Sequence, residues 1–242
     1  HFNRDKTMFR KIFSYGLAIL SGSALLSCQT SLEPPYALEC EYLTTPLGVD
    51  THSPRLSWKI PSAHGDSITG CRVWVAADSV AVAQGTEGCW DSGVLPATAR
   101  RVAYAGDSLR SWTKYYWKVG YQTRGADEMV CSPVTSFTTG VFLPVEWEGA
   151  RWISDGHDKD YRPSPYFRKD FEVTGEVKQA YAMIAAAGLY ELSLNSSRIG
   201  DHFLDPMYTH FDKRVLSVMY DITDALSEGE NTIGVQLGNG WY

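Results

Sequence analysis

Tyr115-Tyr116-Trp117-Lys118-Val119-Gly120-Tyr121-Gln122 decides the fold. Successive side chains of a strand point to opposite faces, so Tyr115, Trp117, Val119 and Tyr121 share one face while Tyr116, Lys118 and Gln122 share the other. Three aromatic rings and a valine on one face have to be covered by a second layer. Working outward, short runs of the same kind, separated by turn residues, lie near 38–43, 55–60, 71–76, 101–104 and 134–138. Leu109 precedes Tyr115 by six residues, the spacing of a tyrosine corner that closes the end of a two-sheet sandwich. These runs supply the strand count of a sandwich over about 38–140.

A second unit is expected over 146–242, with the boundary within Gly140 to Pro144, where strand character lapses. Phe167, Lys169, Phe171 and Val173 alternate, as do Tyr190, Leu192 and Leu194, then Leu216, Val218 and Tyr220, then Ile233, Val235 and Leu237. Asn195-Ser196-Ser197-Arg198 reads as a hairpin turn rather than a glycosylation acceptor. Asp221 or Thr223 can cap one helical turn reaching Leu226, with Gly229-Glu230-Asn231 ending it. The fold expected is all-β: two β-sandwich domains in series, fibronectin-III/Ig-like and then jelly-roll-like, preceded by a signal peptide.

Composition agrees. Fourteen Tyr, eight Trp, 21 Gly and 11 Pro describe a β-rich chain with many turns. Its 242 residues fit one or two domains, and an apolar fraction of 44% suffices for their cores. The net charge of −6 gives no electrostatic reason to expect nucleic acid as a partner.

Residues Arg4 to Lys11 are basic and Ile12 to Leu26 are apolar or small without charge. That run of roughly 15 residues is shorter than the ~20 of a spanning helix, so it reads as a signal peptide. Leu25-Leu26-Ser27-Cys28 resembles a bacterial lipobox, in which Cys28 becomes the lipidated first residue. Residues 1–28 are then upstream sequence and signal, with Met8 as the natural initiator, and 29–37 are a polar tether. The location expected is that of an exported, membrane-anchored bacterial lipoprotein, in the periplasm or at the cell surface, with the membrane as a partner through the Cys28 lipid.

Cys40, Cys71, Cys89 and Cys131 remain. Export permits disulfides, in three possible connectivities, but Cys71 lies in the alternating run Cys71-Arg72-Val73-Trp74-Val75, where a thiol packs as Val would. Free buried thiols are the favoured reading. No zinc spacing occurs, and neither metal nor cofactor is expected.

Tyr42-Leu43-Thr44-Thr45-Pro46-Leu47-Gly48-Val49-Asp50, followed by Ser53-Pro54-Arg55-Leu56-Ser57-Trp58, closely resembles the opening of bacterial α-L-rhamnosidases. Trp90-Asp91-Ser92-Gly93 and the passage through Tyr104-Ala105-Gly106 and Leu109 to Tyr115-Tyr116-Trp117 extend the likeness. The second unit is similar to the domain that follows in those enzymes, through Ala150-Arg151-Trp152-Ile153, Tyr166-Phe167-Arg168-Lys169, Gly188-Leu189-Tyr190-Glu191-Leu192-Ser193-Leu194-Asn195, Asp205-Pro206 and Tyr220-Asp221-Ile222-Thr223. The second-unit pattern is shared with sugar-binding sandwiches of other glycosidases, so the first-unit motif decides. The resemblance implies rhamnose-containing polysaccharide or glycoside as substrate and a following (α/α)6 barrel that carries the acid and base carboxylates. The chain closes on Gly238-Asn239-Gly240-Trp241-Tyr242 straight after a strand-like run, and more sequence is expected beyond it. An inverting pair of carboxylates, roughly 6.5 to 9.5 Å apart, would come from that barrel. No catalytic residue is therefore assigned, and this portion is expected to be inactive alone, serving scaffolding or substrate recognition. The alternative is a stand-alone carbohydrate-binding surface lipoprotein.

Sugar sites combine aromatic faces with groups that bridge hydroxyls. Tyr208, His210, Asp212 and Arg214 cluster between strands, and Trp241 and Tyr242 sit in a glycine-flanked turn. These six are the candidates for contacting carbohydrate or the barrel, with domain-interface packing ranked above direct sugar contact. Asp212 with Arg214 reads as a surface pair. Asp155-Gly156-His157-Asp158-Lys159-Asp160 lacks the ligand spacing and closing Glu of an EF-hand and reads as a solvated loop.

Overall fold

The computed structural model describes residues 32–61, 67–147, 149–158, 160 and 163–238. Cys28, Trp241 and Tyr242, and the signal peptide expectation with them, lie outside the described residues.

The first sandwich has two antiparallel sheets. One contains β1 (Tyr36–Cys40), β2 (Arg55–Lys59) and β6 (Arg101–Ala103), with β2 central. The other is centred on β3 (Ile68–Ala76) and β7 (Lys114–Thr123), flanked by β4 (Trp90–Asp91), β5 (Leu95–Pro96), β8 (Val130–Cys131) and β9 (Thr135–Thr138). The alternation expected for β7 holds. Tyr115, Trp117, Val119 and Tyr121 are buried in the core with Leu56, Trp58, Val73, Val75 and Phe137. Register places Val73 opposite Val119, and Val75 opposite Trp117.

The tyrosine corner is present: Tyr115 Oη accepts a hydrogen bond from Arg110 N at 3.0 Å, and Leu109 is buried beside it. The other face of β3 and β7 is covered as well, which the alternation alone did not indicate. Helix α1 (Ser79–Gln84) packs there, with Val82 fully buried, and Lys118 Nζ donates to Ala83 O at 2.8 Å while lying over the Trp74 ring. Its signals are local: Asp78 caps the N-terminus by accepting from Val80 N and Ala81 N, and Gly85 ends it at φ +67. Gly120 must lack a side chain, because a Cβ would stand 2.9 Å from Cys131 Sγ.

All four described cysteines are free thiols. Burial, reinforced by Glu41, pushes Cys40 up to about 12, and burial also raises Cys71, so both stay protonated and unreactive at neutral pH. The buried Trp58 indole N–H has no hydrogen-bond partner among the described residues.

The second sandwich sets a four-stranded sheet against a two-stranded one. In order across the first run β10 (Tyr166–Val173), β15 (Gly229–Gly238), β12 (Leu189–Leu194) and β13 (Ser197–Arg198). The second pairs β11 (Tyr181–Ala185) with β14 (Ser217–Asp221). Tyr190, Leu192 and Leu194, backed by Ile233, Val235 and Leu237, meet Ala182, Ile184, Val218 and Tyr220. Asn195 and Ser196, at φ 50° and 67°, make the expected hairpin turn between β12 and β13. Asn195 Nδ2 donates to Asn231 Oδ1 at 2.8 Å, and the buried Asn231 side chain bonds Ser227 N, Ser227 O and Gly229 O, so its amide is satisfied.

One local expectation is corrected. The helical turn near Thr223 is a short 3₁₀ turn, Thr223–Ala225; Asp221 Oδ1 accepts from Thr223 N at 3.0 Å, as expected of a cap, while Thr223 Oγ1 accepts from Ala180 N. Gly229, Glu230 and Asn231 open β15 rather than end the turn, because Asn231 is needed to close the loop before the strand.

Removing the core rings should follow their burial. Trp117→Ala should lower unfolding stability by about 3–5 kcal/mol, whereas Tyr115→Phe should cost about 1 kcal/mol by losing the corner bond. Urea titration followed by tryptophan fluorescence measures both.

Candidate functional site

The crossover from β13 to β14 carries the chemistry that the sequence reading singled out. It is pinned from below. Tyr190 N, on the outer edge of β12, donates to Asp205 O at 2.8 Å. Tyr220 Oη donates to Asp205 Oδ2 at 2.7 Å and lies 2.9 Å from Tyr190 Oη. A phenol has one proton, so with Tyr220 donating to the carboxylate, Tyr190 must donate to Tyr220. The result is a directed chain, Tyr190 to Tyr220 to Asp205, extended outward by His202 Nδ1 at 3.6 Å from the same carboxylate oxygen. Gly200, at φ +81, lets the chain pass over the Tyr220 ring, where a Cβ would stand 2.7 Å from it.

Above this anchor the crossover exposes several large apolar side chains. Phe203, Leu204, Met207 and Tyr208 are between 59% and 77% exposed, a density unusual for a solvated loop. The Arg198 guanidinium lies 4.0 Å over the Phe203 ring, and Tyr208 meets Phe211 edge to face at 5.5 Å.

Four of the six expected site residues lie here and are only partly brought together. Tyr208 and His210 have ring centroids 6.4 Å apart, and His210 Nδ1 lies 3.8 Å from Asp212 Oδ1. Arg214 does not pair with Asp212 as expected. The turn formed by Lys213 N and Arg214 N donating to His210 O sends its guanidinium to Asp50 of the first sandwich, 3.9 Å away. Sequence reasoning missed Phe203, Leu204 and Met207, which have no polar chemistry, and the buried Tyr190 and Tyr220 with the half-buried Asp205. The last three stood in the family-like segments, yet nothing in their spacing announced a hydrogen-bonded chain.

Beside these rings the crossover also exposes Asp201, His202, His210, Asp212 and Arg214, with side chains between 64% and 95% exposed. Asp205 is directed inward to Tyr220. Among the described residues no three His, Cys, Asp or Glu side chains could jointly hold a metal ion. In the acidic loop, Asp155 accepts from His157 N at 3.1 Å, an internal turn contact. Two open clefts in the first sandwich, of about 460 and 540 Å³, are lined by residues around Pro46–Arg55 and around Trp90, Tyr104 and Arg110. Of the charges lining them, Arg55 pairs with Glu41, and Asp91 pairs with Arg72.

The described residues form tandem β-sandwiches, the second carrying an anchored crossover with exposed Phe203, Leu204, Met207 and Tyr208. Residues 35–143 match the Rha78A-like N-terminal immunoglobulin domain, and residues 175–242 match the alpha-L-rhamnosidase N-terminal domain. An alpha-L-rhamnosidase of Formosa agariphila is 31% identical over 222 residues, covering 82% of this chain and 23% of that protein. The solved alpha-L-rhamnosidase of Dictyoglumus thermophilum superposes with a TM-score of 0.77 at 34% identity, covering 86% of this chain and 25% of that one. The Aspergillus terreus enzyme gives 0.71 at 26% identity, covering 86% of this chain and 24% of its own. The chain carries the N-terminal domains of the α-L-rhamnosidases. It spans about a quarter of the length of the curated relatives it matches.

Two outcomes follow for the anchor. Tyr220→Phe should destabilise by about 1–3 kcal/mol, because Asp205 and Tyr190 both lose a buried partner. Burial first of all, reinforced by the Asp205 carboxylate, pushes Tyr220 up to about 12, and Tyr190 is raised in the same direction. A folded-state value above the unfolded one means the native state holds its protons longer. The stabilisation is complete below pH ~10 and is lost as pH rises toward ~12. Thermal melts across that window should fall less steeply in Tyr220→Phe than in the parent.

Proposed function

We propose that this chain is the non-catalytic front of an exported α-L-rhamnosidase that acts on rhamnose-containing glycans, and that its crossover surface seats the remainder of that enzyme. The observation that carries the reading is the position of the exposed apolar crossover. Asp205 bridges to Tyr190, whose other neighbour, Leu237, lies one residue before the end of β15. Pro165 O accepts from Leu237 N on the far side, and Tyr166, itself exposed, pairs with Gln236. Phe203, Leu204, Met207, Tyr208 and Tyr166 therefore flank the place where β15 runs out. This cluster of exposed apolar side chains suits a protein partner. Export with lipidation at Cys28 is part of the same reading and is supported by the Arg4–Cys28 pattern.

Purified protein of this sequence should release no rhamnose from an aryl α-L-rhamnoside, and hydrolysis would overturn the non-catalytic assignment. A hydrophobic dye should bind the parent and lose most of its fluorescence with Phe203→Ser plus Met207→Ser. Retention of a rhamnosyl glycan on an array, abolished by Tyr208→Ala, would instead make the crossover a recognition surface and support the carbohydrate-binding alternative.

A further inference from the structure

The two-stranded sheet of the second sandwich is buried on the wrong side as well as the right one. Ala182, Ile184, Val218 and Tyr220 face their own core. By strand alternation Tyr181, Met183 and Met219 face away, with Met183 directly opposite Met219 and Tyr181 opposite Asp221. Such residues on an outer face belong in water, yet Met219 is only 6% exposed. What covers it is the first sandwich. A Cβ on Gly48 would stand 3.3 Å from Met219 Cβ, Thr138 Oγ1 and Tyr181 Oη are 3.5 Å apart, and Asp50 reaches Arg214.

The covering loop is itself rigidly held. Thr138 N donates to Pro46 O at 2.9 Å, Val49 N to Thr138 O at 3.0 Å, and Gly140 N to Val49 O at 2.9 Å, a short parallel addition to the end of β9. Gly48, at φ +77 and with its backbone 3.2 Å from where a Gly140 Cβ would be, stands between this β9 end and Met219. The segment Pro46-Leu47-Gly48-Val49-Asp50 contributes nothing to the core of its own sandwich beyond Val49.

We propose that this loop is an interdomain lock. Its partner is the outward face of β11–β14, and the second sandwich depends on it for the integrity of that sheet. An isolated two-stranded sheet is marginal in water. With Met183, Met219 and Tyr181 uncovered, β11–β14 would expose a methionine-rich apolar face and open locally well before the four-stranded sheet does. The two domains thus present their surfaces to any partner as one body. The lock stands independently of what the chain binds or hydrolyses.

Hydrogen exchange on the full chain tests this. In Met219→Asp, amides of β11 and β14 should exchange about tenfold faster or more while those of β3 and β7 keep their protection, and Met219→Leu should behave as the parent. Gly48→Val, made entirely in the first sandwich, should speed exchange in β11–β14 as well, because its side chain pushes on Met219. That remote effect decides the matter if Met219→Asp unfolds the whole second domain. Unchanged β11–β14 exchange in Gly48→Val, or an effect confined to the Pro46–Asp50 loop and β9, would overturn the proposal.

Discussion

The structure depends on one strand pair having two faces to satisfy. β3 and β7 sit at the centre of the larger sheet of the first sandwich, and neither side of that pair meets water freely. Inward, Trp117, Tyr121, Val73 and Val119 pack on the β1–β2–β6 sheet. Outward, the Trp74 ring, the Lys118 stem and Gly120 need a cover, which α1 and the β8 segment supply. The ammonium of Lys118 survives there because a helix carbonyl and an indole face replace its water. With both faces filled, β7 is held in position, and its far end presents Thr138 and Gly140 of the neighbouring β9 segment to the Pro46–Asp50 loop.

From there order passes to the second domain. Loop, β9 end and Met219 form a continuous contact, and the linker is anchored alongside it. Glu146 accepts from Ser111 Oγ at 2.6 Å and from Leu143 N at 2.8 Å, which hold its carboxyl below the usual range, while His52 stacks on Phe142 at 4.0 Å. Within the second sandwich the tyrosine chain plays the corresponding part for the crossover. Exposed Phe203 and Tyr208 can keep a defined position because Asp205 beneath them is bonded through its carbonyl to β12 and through its carboxylate to the buried Tyr220 phenol.

Much of this was legible in the residues. Period-two alternation finds the principal strands of both sandwiches, since a half-buried strand imprints its two environments on alternate positions. The tyrosine corner and the Asn195 turn are readable because each needs a particular residue at a fixed offset. Helix α1 escapes such a reading although Asp78 and Gly85 bracket it, because its six residues are too few for periodicity to register. Proximity in sequence pairs Arg214 with Asp212, whereas the turn at His210 points it across the domain boundary. The exposed apolar residues of the crossover are passed over because an isolated Phe or Met in a sequence reads as core.

By itself, then, the sequence determined what local physics can encode: strand alternation, turn chemistry, the thiol-tolerant core position at Cys71, and the family through the Tyr42–Trp58 and Trp90–Trp117 segments. Tertiary structure alone decided which faces are covered and by what. Met219 looks like any strand methionine until Gly48 is seen against it. Asp205 looks like a loop carboxylate until Tyr220 donates to it. Both facts rest on contacts between residues distant in the chain, and no periodicity within one segment can specify which remote surface will complete its burial.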